Sequence, residues 1–288
     1  MKNTTENIPT GWLNINKESG ITSHDLVSKV RRALKTKKVG HAGTLDPMAT
    51  GVMTIAVGKA TRLIQFLEET KAYIGEIHLG VTTDTLDAHG KIISQKEVNT
   101  TNEIIIETVN KFSGKIKQIP PMVSAVHHEG VRLYELARKG IEVERKAREV
   151  EIYQIKVLNI NLPFVTIEVH CQSGTYIRTI ANDIGDILGC GASLSKLQRI
   201  ESNNCFNISE SKEIENISVD DLIDFEYPIA YLPVITLGDE EAQKYLFGQH
   251  LTGFTFNGFS RIKDNNQKFL GIAYSIENKL IPKINFVD

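Results

Sequence analysis

Gly40-His41-Ala42-Gly43-Thr44-Leu45-Asp46-Pro47-Met48-Ala49-Thr50-Gly51 sets three glycines, a proline and two threonines around one carboxylate. Glycines permit turns that other side chains forbid. The Asp-Pro step also keeps Asp46 out of helical geometry. Two readings follow. In one, the segment is a turn in which Asp46 accepts local backbone hydrogen bonds. In the other, Asp46 is presented as a nucleophile or general base. Local spacing alone favours the turn.

On the C-terminal side, Val52–Val57 is a continuous apolar run, short enough for a buried strand. On the N-terminal side, Thr22-x-x-Asp25 is a capping box that opens a helix reaching about Leu34. Leu26, Val27, Val30 and Leu34 form its apolar stripe. Gly11–Ile15 reads as a strand and Thr61–Leu67 as a short helix. Tyr73–Val81 alternates with the period of a strand, and Asn102–Phe112 reads as a helix. Pro120-Pro121 ends whatever precedes it. Gly130–Arg148, glycine-containing and of mixed charge, reads as an exposed helix and loop. Val150–Ile160 and Val165–Cys171 read as paired strands, Thr175–Leu188 as a helix and Leu194–Ile200 as a strand. The acidic stretch Asn203–Glu226 is expected to be a helix plus linker. Beyond Pro233, strand-like pieces such as Phe269–Ser275 and Lys279–Val287 are separated by Gly and Asn. They suit a small β-rich terminal domain.

A length of 288 residues suits one large domain, or a large and a small one. A hydrophobic fraction of 41% and a charged fraction of 24% are ordinary for a globular protein. No apolar run approaches the roughly 20 residues that span a bilayer. Met1–Pro9 is polar and lacks the apolar core of a secretory signal, so a cytoplasmic location is expected. Cys171, Cys190 and Cys205 show no C-x-x-C spacing, which argues against a zinc site or disulfide framework. The net charge is −2, unevenly spread. No acid falls between Leu26 and Leu45, where Lys29, Arg31, Arg32, Lys35, Lys37 and Lys38 cluster. Such a run is a solvated helix face, or a phosphate track where RNA is bound.

Arg178, in Gly174-Thr175-Tyr176-Ile177-Arg178-Thr179, is either a surface charge or the cation that keeps a buried aspartate ionised. Tyr73 and Tyr176 are either core aromatics or planes on which a base stacks. Other chemistries fit worse. Gly58-Lys59-Ala60-Thr61 fails the spacing of a phosphate loop. Asp84-Thr85-Leu86-Asp87 lacks the Asp-x-Asp of a calcium loop, and no Gly-x-Ser-x-Gly or His-Glu-x-x-His occurs.

Taken together, Gly11 to Arg199 resembles the TruB family of pseudouridine synthases. The resemblance rests on the Gly40–Gly51 segment, Lys71-x-Tyr73, Leu79-Gly80 and Thr83-Asp84-x-x-Asp87-x-x-Gly90. Gln118-x-Pro120-Pro121, Ser124-Ala125, Gly130-x-Arg132-x-Tyr134-Glu135, Cys171-x-Ser173 through Thr179 and Asp183-x-Gly185 follow in order. The resemblance implies an α+β catalytic domain on a largely antiparallel sheet, over residues 1–232. It also implies a thumb-like insertion at about 124–148 and a small PUA-like RNA-binding domain at 233–288. The implied activity is isomerisation of the uridine at position 55 in the T-arm of tRNA. Asp46 would be the catalytic aspartate, Tyr73 would stack on the base and Arg178 would pair with Asp46. Tyr176 would line the pocket, Leu197 would give an apolar wall, His41 would insert into the RNA loop, and Lys17 would bind substrate. No cofactor or metal is implied, the partner is a tRNA T-arm stem-loop, and a monomer without an obligatory protein partner is expected.

The chain departs from the family pattern at Asn16-Lys17-Glu18, where Asp-Lys-Pro is usual, and at Val123, Ser193 and Ser202-Asn203-Asn204. None of these is Asp46, Tyr73 or Arg178. The rival classes are an RNA binder that has lost its chemistry, a guide-RNA-dependent synthase and an aspartate-nucleophile hydrolase. The last would want an Asp-x-Asp or metal motif, and neither occurs.

Overall fold

A computed structural model describes residues 9–286. The larger part runs β1 (Gly11–Lys17), α1 (Ser23–Ala33), β2 (Val39–His41), β3 (Thr50–Val57), β4 (Thr70–Leu79), β5 (Val81–Thr83), β6 (Ile92–Gln95), α2 (Asn102–Asn110) and β7 (Gly114–Gln118). It continues through β8 (His127–His128), β9 (Val131–Arg132), α3 (Leu133–Arg138), β10 (Arg148–Asn161), β11 (Phe164–Gln172), α4 (Ile177–Ile187), β12 (Ala192–Ser202) and β13 (Phe206–Asn207). The smaller part holds β14 (Val234–Leu237), α5 (Asp239–Leu246), β15 (Leu251–Thr252), β16 (Gly258–Asp264), β17 (Phe269–Ile276) and β18 (Lys279–Asn285).

Among the described residues the larger sheet has nine strands. Its central order is β1-β3-β12-β4-β11-β10-β7, with β2 beside β3 and β13 beside β12. Every pairing is antiparallel except β12 with β3.

β3 explains why Val52–Val57 shows no polar alternation. Met53, Ile55 and Val57 face one core with α1 and α4, whereas Val52 and Ala56 face a second core. A strand covered on both faces reads as a continuous apolar run. The first core packs Leu26, Val27 and Val30 of α1, Ile105 and Val109 of α2, and Ile180 and Ile184 of α4 over the sheet. Each such side chain contributes about 1.5–3 kcal/mol on burial. The second core joins Trp12, Phe66 and Phe206 to Phe269, Ile272 and Ile284 of the smaller part. Arg62 Nη1 donates to the Asn285 carbonyl at 2.6 Å across the same junction.

The smaller part is a five-stranded sheet, order β14-β16-β17-β18-β15, with α5 against it. Strands at 269–276 and 279–285 match the expected pieces, and Val287 lies outside the described residues. The helix α5 was not expected there.

The acidic stretch Asn203–Glu226 is not a helix plus linker. It holds β13 and three 3₁₀ turns, Ile208–Glu210, Ile214–Asn216 and Val219–Asp221. Besides the short-range bonds of these turns, its backbone bonds to β1. The Trp12 and Ile223 peptides exchange hydrogen bonds at 2.9 and 2.8 Å, and the Lys212 amide donates to the Asn14 carbonyl at 2.9 Å. An exposed strand edge wants cover, and this segment supplies it. Gly130–Arg148 is mostly loop, with α3 only six residues long. The edge strand β7 was missed because Lys115 and Lys117 break its apolar pattern.

Candidate active site

Asp46 lies on the loop between β2 and β3, and that loop is held from several sides. Ser23 of α1 accepts from the Leu45 amide at 2.9 Å and donates to the Leu45 carbonyl at 3.0 Å. Lys17, fully buried at the end of β1, donates to the carbonyls of Ala49 (2.7 Å), Glu18 (2.8 Å) and Pro47 (3.2 Å). Its amine is therefore spent on the loop backbone, not presented to a substrate. Burial lowers the Lys17 pKa to about 8, partly offset by Asp46 and Glu18. Gly51 closes the loop with φ +102°, and a Cβ there would collide with the Arg199 backbone of β12. Only glycine combines that conformation with that approach.

Arg178 is the second residue of α4 and is 2% exposed. It meets Asp46 at two points: Nε lies 2.8 Å from Oδ2, and Nη2 donates to Oδ1 at 3.1 Å. The same guanidinium donates to the Thr85 carbonyl at 3.0 Å and the Val123 carbonyl at 2.8 Å, and it lies 3.6 Å from Asp87 Oδ2. A rigid fork of donors suits such two-point pairing. The turn before α4 is fixed by buried Gln118, whose side chain accepts from the Tyr176 amide (2.7 Å) and donates to the Tyr176 carbonyl (3.0 Å).

Burial raises the Asp46 pKa. Arg178 opposes this, Asp87 adds to it, and the net direction is upward. Arg178 thus offsets part of a desolvation penalty that remains the larger effect. The carboxylate side chain is 31% exposed and faces a cleft of about 910 Å³.

The cleft is walled by the His41–Pro47 loop, the Asp84-Thr85 turn, Met122–Ala125 and part of the 132–142 segment. Asp46 and His41 line it. Burial and Arg199 lower the His41 pKa, which favours the neutral imidazole. Tyr73, Tyr176 and Leu197 are not among its lining residues. Tyr73 and Leu197 belong to the buried cluster that contains Leu45 and Ile177. Tyr176 is half-buried, with the Arg148 guanidinium 5.0 Å from its ring centre.

Beneath the loop lie two basic groups whose structural role the sequence did not disclose. Arg199 donates to the carbonyls of Val52 (2.6 Å) and Gly43 (3.3 Å). Lys71 donates to Ser202 Oγ (2.8 Å) and Asn203 Oδ1 (3.0 Å), and burial pushes its pKa well down. Gly43 packs over both: a Cβ there would make ordinary contact, 3.5 Å from Lys71 Cε and 3.6 Å from Arg199 Nη1, so its φ of +121° and not crowding calls for glycine. The available signal was strand parity: Leu197 and Arg199 share the inward face of β12, where a charge is unusual. Asp87 stands in the Thr83-Asp84-x-x-Asp87-x-x-Gly90 motif, but nothing in that motif places it beside Arg178.

Known proteins resemble this chain over most of its length. Residues 31–177 match the model described as TruB family pseudouridylate synthase, N-terminal domain. Residues 233–284 match pseudouridine synthase II TruB, C-terminal. The chain is 43% identical over 274 residues to tRNA pseudouridine synthase B of Clostridium kluyveri, covering 91% of this chain and 94% of that one.

The chain belongs to the TruB family of pseudouridine synthases.

A second TruB relative, tRNA pseudouridine synthase B of Microcystis aeruginosa, is 43% identical over 288 residues, covering 95% of this chain and 98% of that one. The fold also resembles a chain in a crystal structure of a Cbf5–Nop10–Gar1 complex. The TM-score is 0.74 at 24% identity, with 97% of this chain and 85% of that chain covered. The five-stranded C-terminal sheet is the PUA-like domain of this family member.

Proposed function

We propose that this TruB-family synthase converts uridine to pseudouridine at position 55 in the T-arm loop of tRNA, acting alone as a cytoplasmic monomer without cofactor. Membership of the family makes the chain an isomerase acting on tRNA uridine. The observation that carries the site assignment is the two-point Asp46–Arg178 pair at the wall of the cleft.

The reaction breaks the N1–C1′ bond, turns the uracil within the site and forms a C5–C1′ bond. The C5 proton leaves and N1 gains one, so atoms and electrons balance with no external reagent. Asp46 is the nucleophile or base, and it acts as the carboxylate. Arg178 donates to Oδ1 and sets its charged Nε 2.8 Å from Oδ2, so the group is oriented before substrate arrives. Extruding the base from the RNA stack costs a few kcal/mol. Stacking on an aromatic ring returns about 1–3 kcal/mol per base. We assign that role to Tyr73, on β4 beneath the loop, with Leu197 as its apolar neighbour. His41, at the cleft wall, fills space in the opened RNA loop, and Tyr176, outside the wall of the free cleft, is assigned to the pocket that the bound RNA completes. Lys17 serves by holding the Asp46 loop. The basic residues Lys29–Lys38 on and after α1 track phosphates beside the cleft, which Thr22, Ser23 and His24 help to line.

Position is tested with two transcripts, one unmodified tRNA and one carrying cytidine at position 55, each incubated with purified protein and mapped for pseudouridine. Product at position 55 of the first and none in the second supports the proposal. Product elsewhere, or none in either, contradicts it.

A further inference from the structure

Ser124 stands where the segment over the cleft leaves the catalytic domain. It is 6% exposed and lines the cleft. Its main chain is pinned on both sides: its amide donates to the Met122 carbonyl at 3.0 Å, and its carbonyl accepts from the Tyr134 amide at 3.1 Å. The preceding carbonyl, of Val123, accepts from Arg178 Nη2, the nitrogen that also donates to Asp46 Oδ1. One guanidinium thus ties the catalytic carboxylate and the backbone beside Ser124 into a single unit.

The Ser124 hydroxyl itself has no hydrogen-bond partner among the described residues. Leaving a buried hydroxyl unpaired costs folding free energy, and native proteins rarely do so without a use for the group. Alanine would fill the same backbone position without that cost. A hydroxyl can donate and accept, and it rotates to suit its partner. An unpaired, immobilised hydroxyl in the wall of the catalytic cleft is equipped for a ligand that arrives later.

We propose that Ser124 is a positioning residue whose hydroxyl bonds an oxygen of the flipped uridine nucleotide once the cleft is filled. The inference rests on the functional reading above, because it takes the ligand to be that nucleotide. It adds a contact from the 122–125 segment to those from the Asp46 loop, so the nucleotide is held by two lining segments of the cleft.

The test compares wild type, Ser124→Ala and Ser124→Cys for melting temperature without RNA and for kcat and KM on a T-arm stem-loop. The expected result is a crossing of the two properties. Ser124→Ala melts at or above the wild-type temperature, since it removes an unpaired polar group, yet its kcat/KM falls about 10-fold. Ser124→Cys, a weaker donor of similar shape, falls between. An Ala variant with wild-type kcat/KM overturns the proposal. So does a loss of activity that tracks a lowered melting temperature and vanishes well below it, because that marks a packing role. Wild-type turnover is the separate control. Its absence would overturn the functional reading and this inference with it, whereas turnover with an indifferent Ala variant overturns this inference alone.

Discussion

Arg178 contacts both carboxylate oxygens of Asp46, at 2.8 and 3.1 Å, while 2% exposed itself. The pair joins the first helical turn of α4 to a loop 132 residues earlier. Asp87 lies 3.6 Å from the same guanidinium. Removing the cation leaves the Asp46 and Asp87 carboxylates without the guanidinium that both approach. Arg178→Ala is therefore expected to cost about 3–5 kcal/mol of stability, read by urea titration. Arg178→Lys keeps charge but loses the fork, and turnover should fall about 100-fold or more while the fold survives.

Activity should follow a bell-shaped dependence on pH. In the proposed mechanism Asp46 acts as the carboxylate, and burial raises its pKa above the ordinary 3.8, so the acid limb of kcat/KM is expected above that value. Lys17 holds the loop as an ammonium with a pKa lowered to about 8, so an alkaline limb is expected near there. Lys17→Arg, which stays charged, should shift that limb upward if the loop accommodates it. The linked stabilities have opposite senses. A raised Asp46 pKa contributes stability below its unfolded value, and that contribution is lost as pH rises through the folded pKa. A lowered Lys17 pKa contributes stability above the unfolded value, and it is lost as pH falls through about 8. Isotope release and thermal melts across pH 4–10 check both expectations.

Gly51 should tolerate no side chain. With φ +102° and the Arg199 carbonyl where a Cβ would stand, Gly51→Ala must move the loop or the strand beside it. A cost of about 1–3 kcal/mol in stability is expected, together with a larger fractional loss of turnover, because the displaced loop carries Asp46. Circular dichroism melts and a turnover assay on one preparation separate the two effects.

The PUA-like domain is built into the catalytic domain. Phe269 is 7% exposed and shares a core with Trp12 and Phe206. Phe269→Ala should therefore lower stability by about 3–5 kcal/mol and shift one cooperative transition that both domains share. Two separate calorimetric transitions would contradict this. A chain ending at residue 232 should aggregate, since it uncovers Phe66 and its neighbours.

Sequence disclosed the fold best where local pattern and burial agree. β4 alternates, the Thr22 capping box starts α1, and the β10–β11 pair shows strand periodicity. It disclosed less where tertiary demand overrides local pattern. The Asn203–Glu226 segment has helix-forming acids but spends its backbone on covering β1, and β7 is an edge strand with lysines. At the site, the spacing of the glycine-rich loop left Asp46 as a turn residue, and only the resemblance assigned roles to Asp46, Arg178 and Tyr73; the structure brings Arg178 to Asp46 and leaves Tyr73 buried outside the cleft lining. Arg199 and Lys71 escaped notice as props because a basic residue inside a strand looks like surface until the register is known. The unpaired Ser124 hydroxyl could not be read from sequence at all, since a missing partner is a property of three-dimensional packing.

The most direct test of the central claim is release of the C5 hydrogen isotope from uridine-labelled, unmodified T-arm stem-loop, with wild type and Asp46→Asn in parallel and no ATP or partner protein. The account predicts release by wild type at the single loop uridine, none by Asp46→Asn, and comparable RNA binding by both. Turnover by Asp46→Asn near the wild-type rate, or wild-type protein that binds the stem-loop and full tRNA but releases nothing, would contradict it.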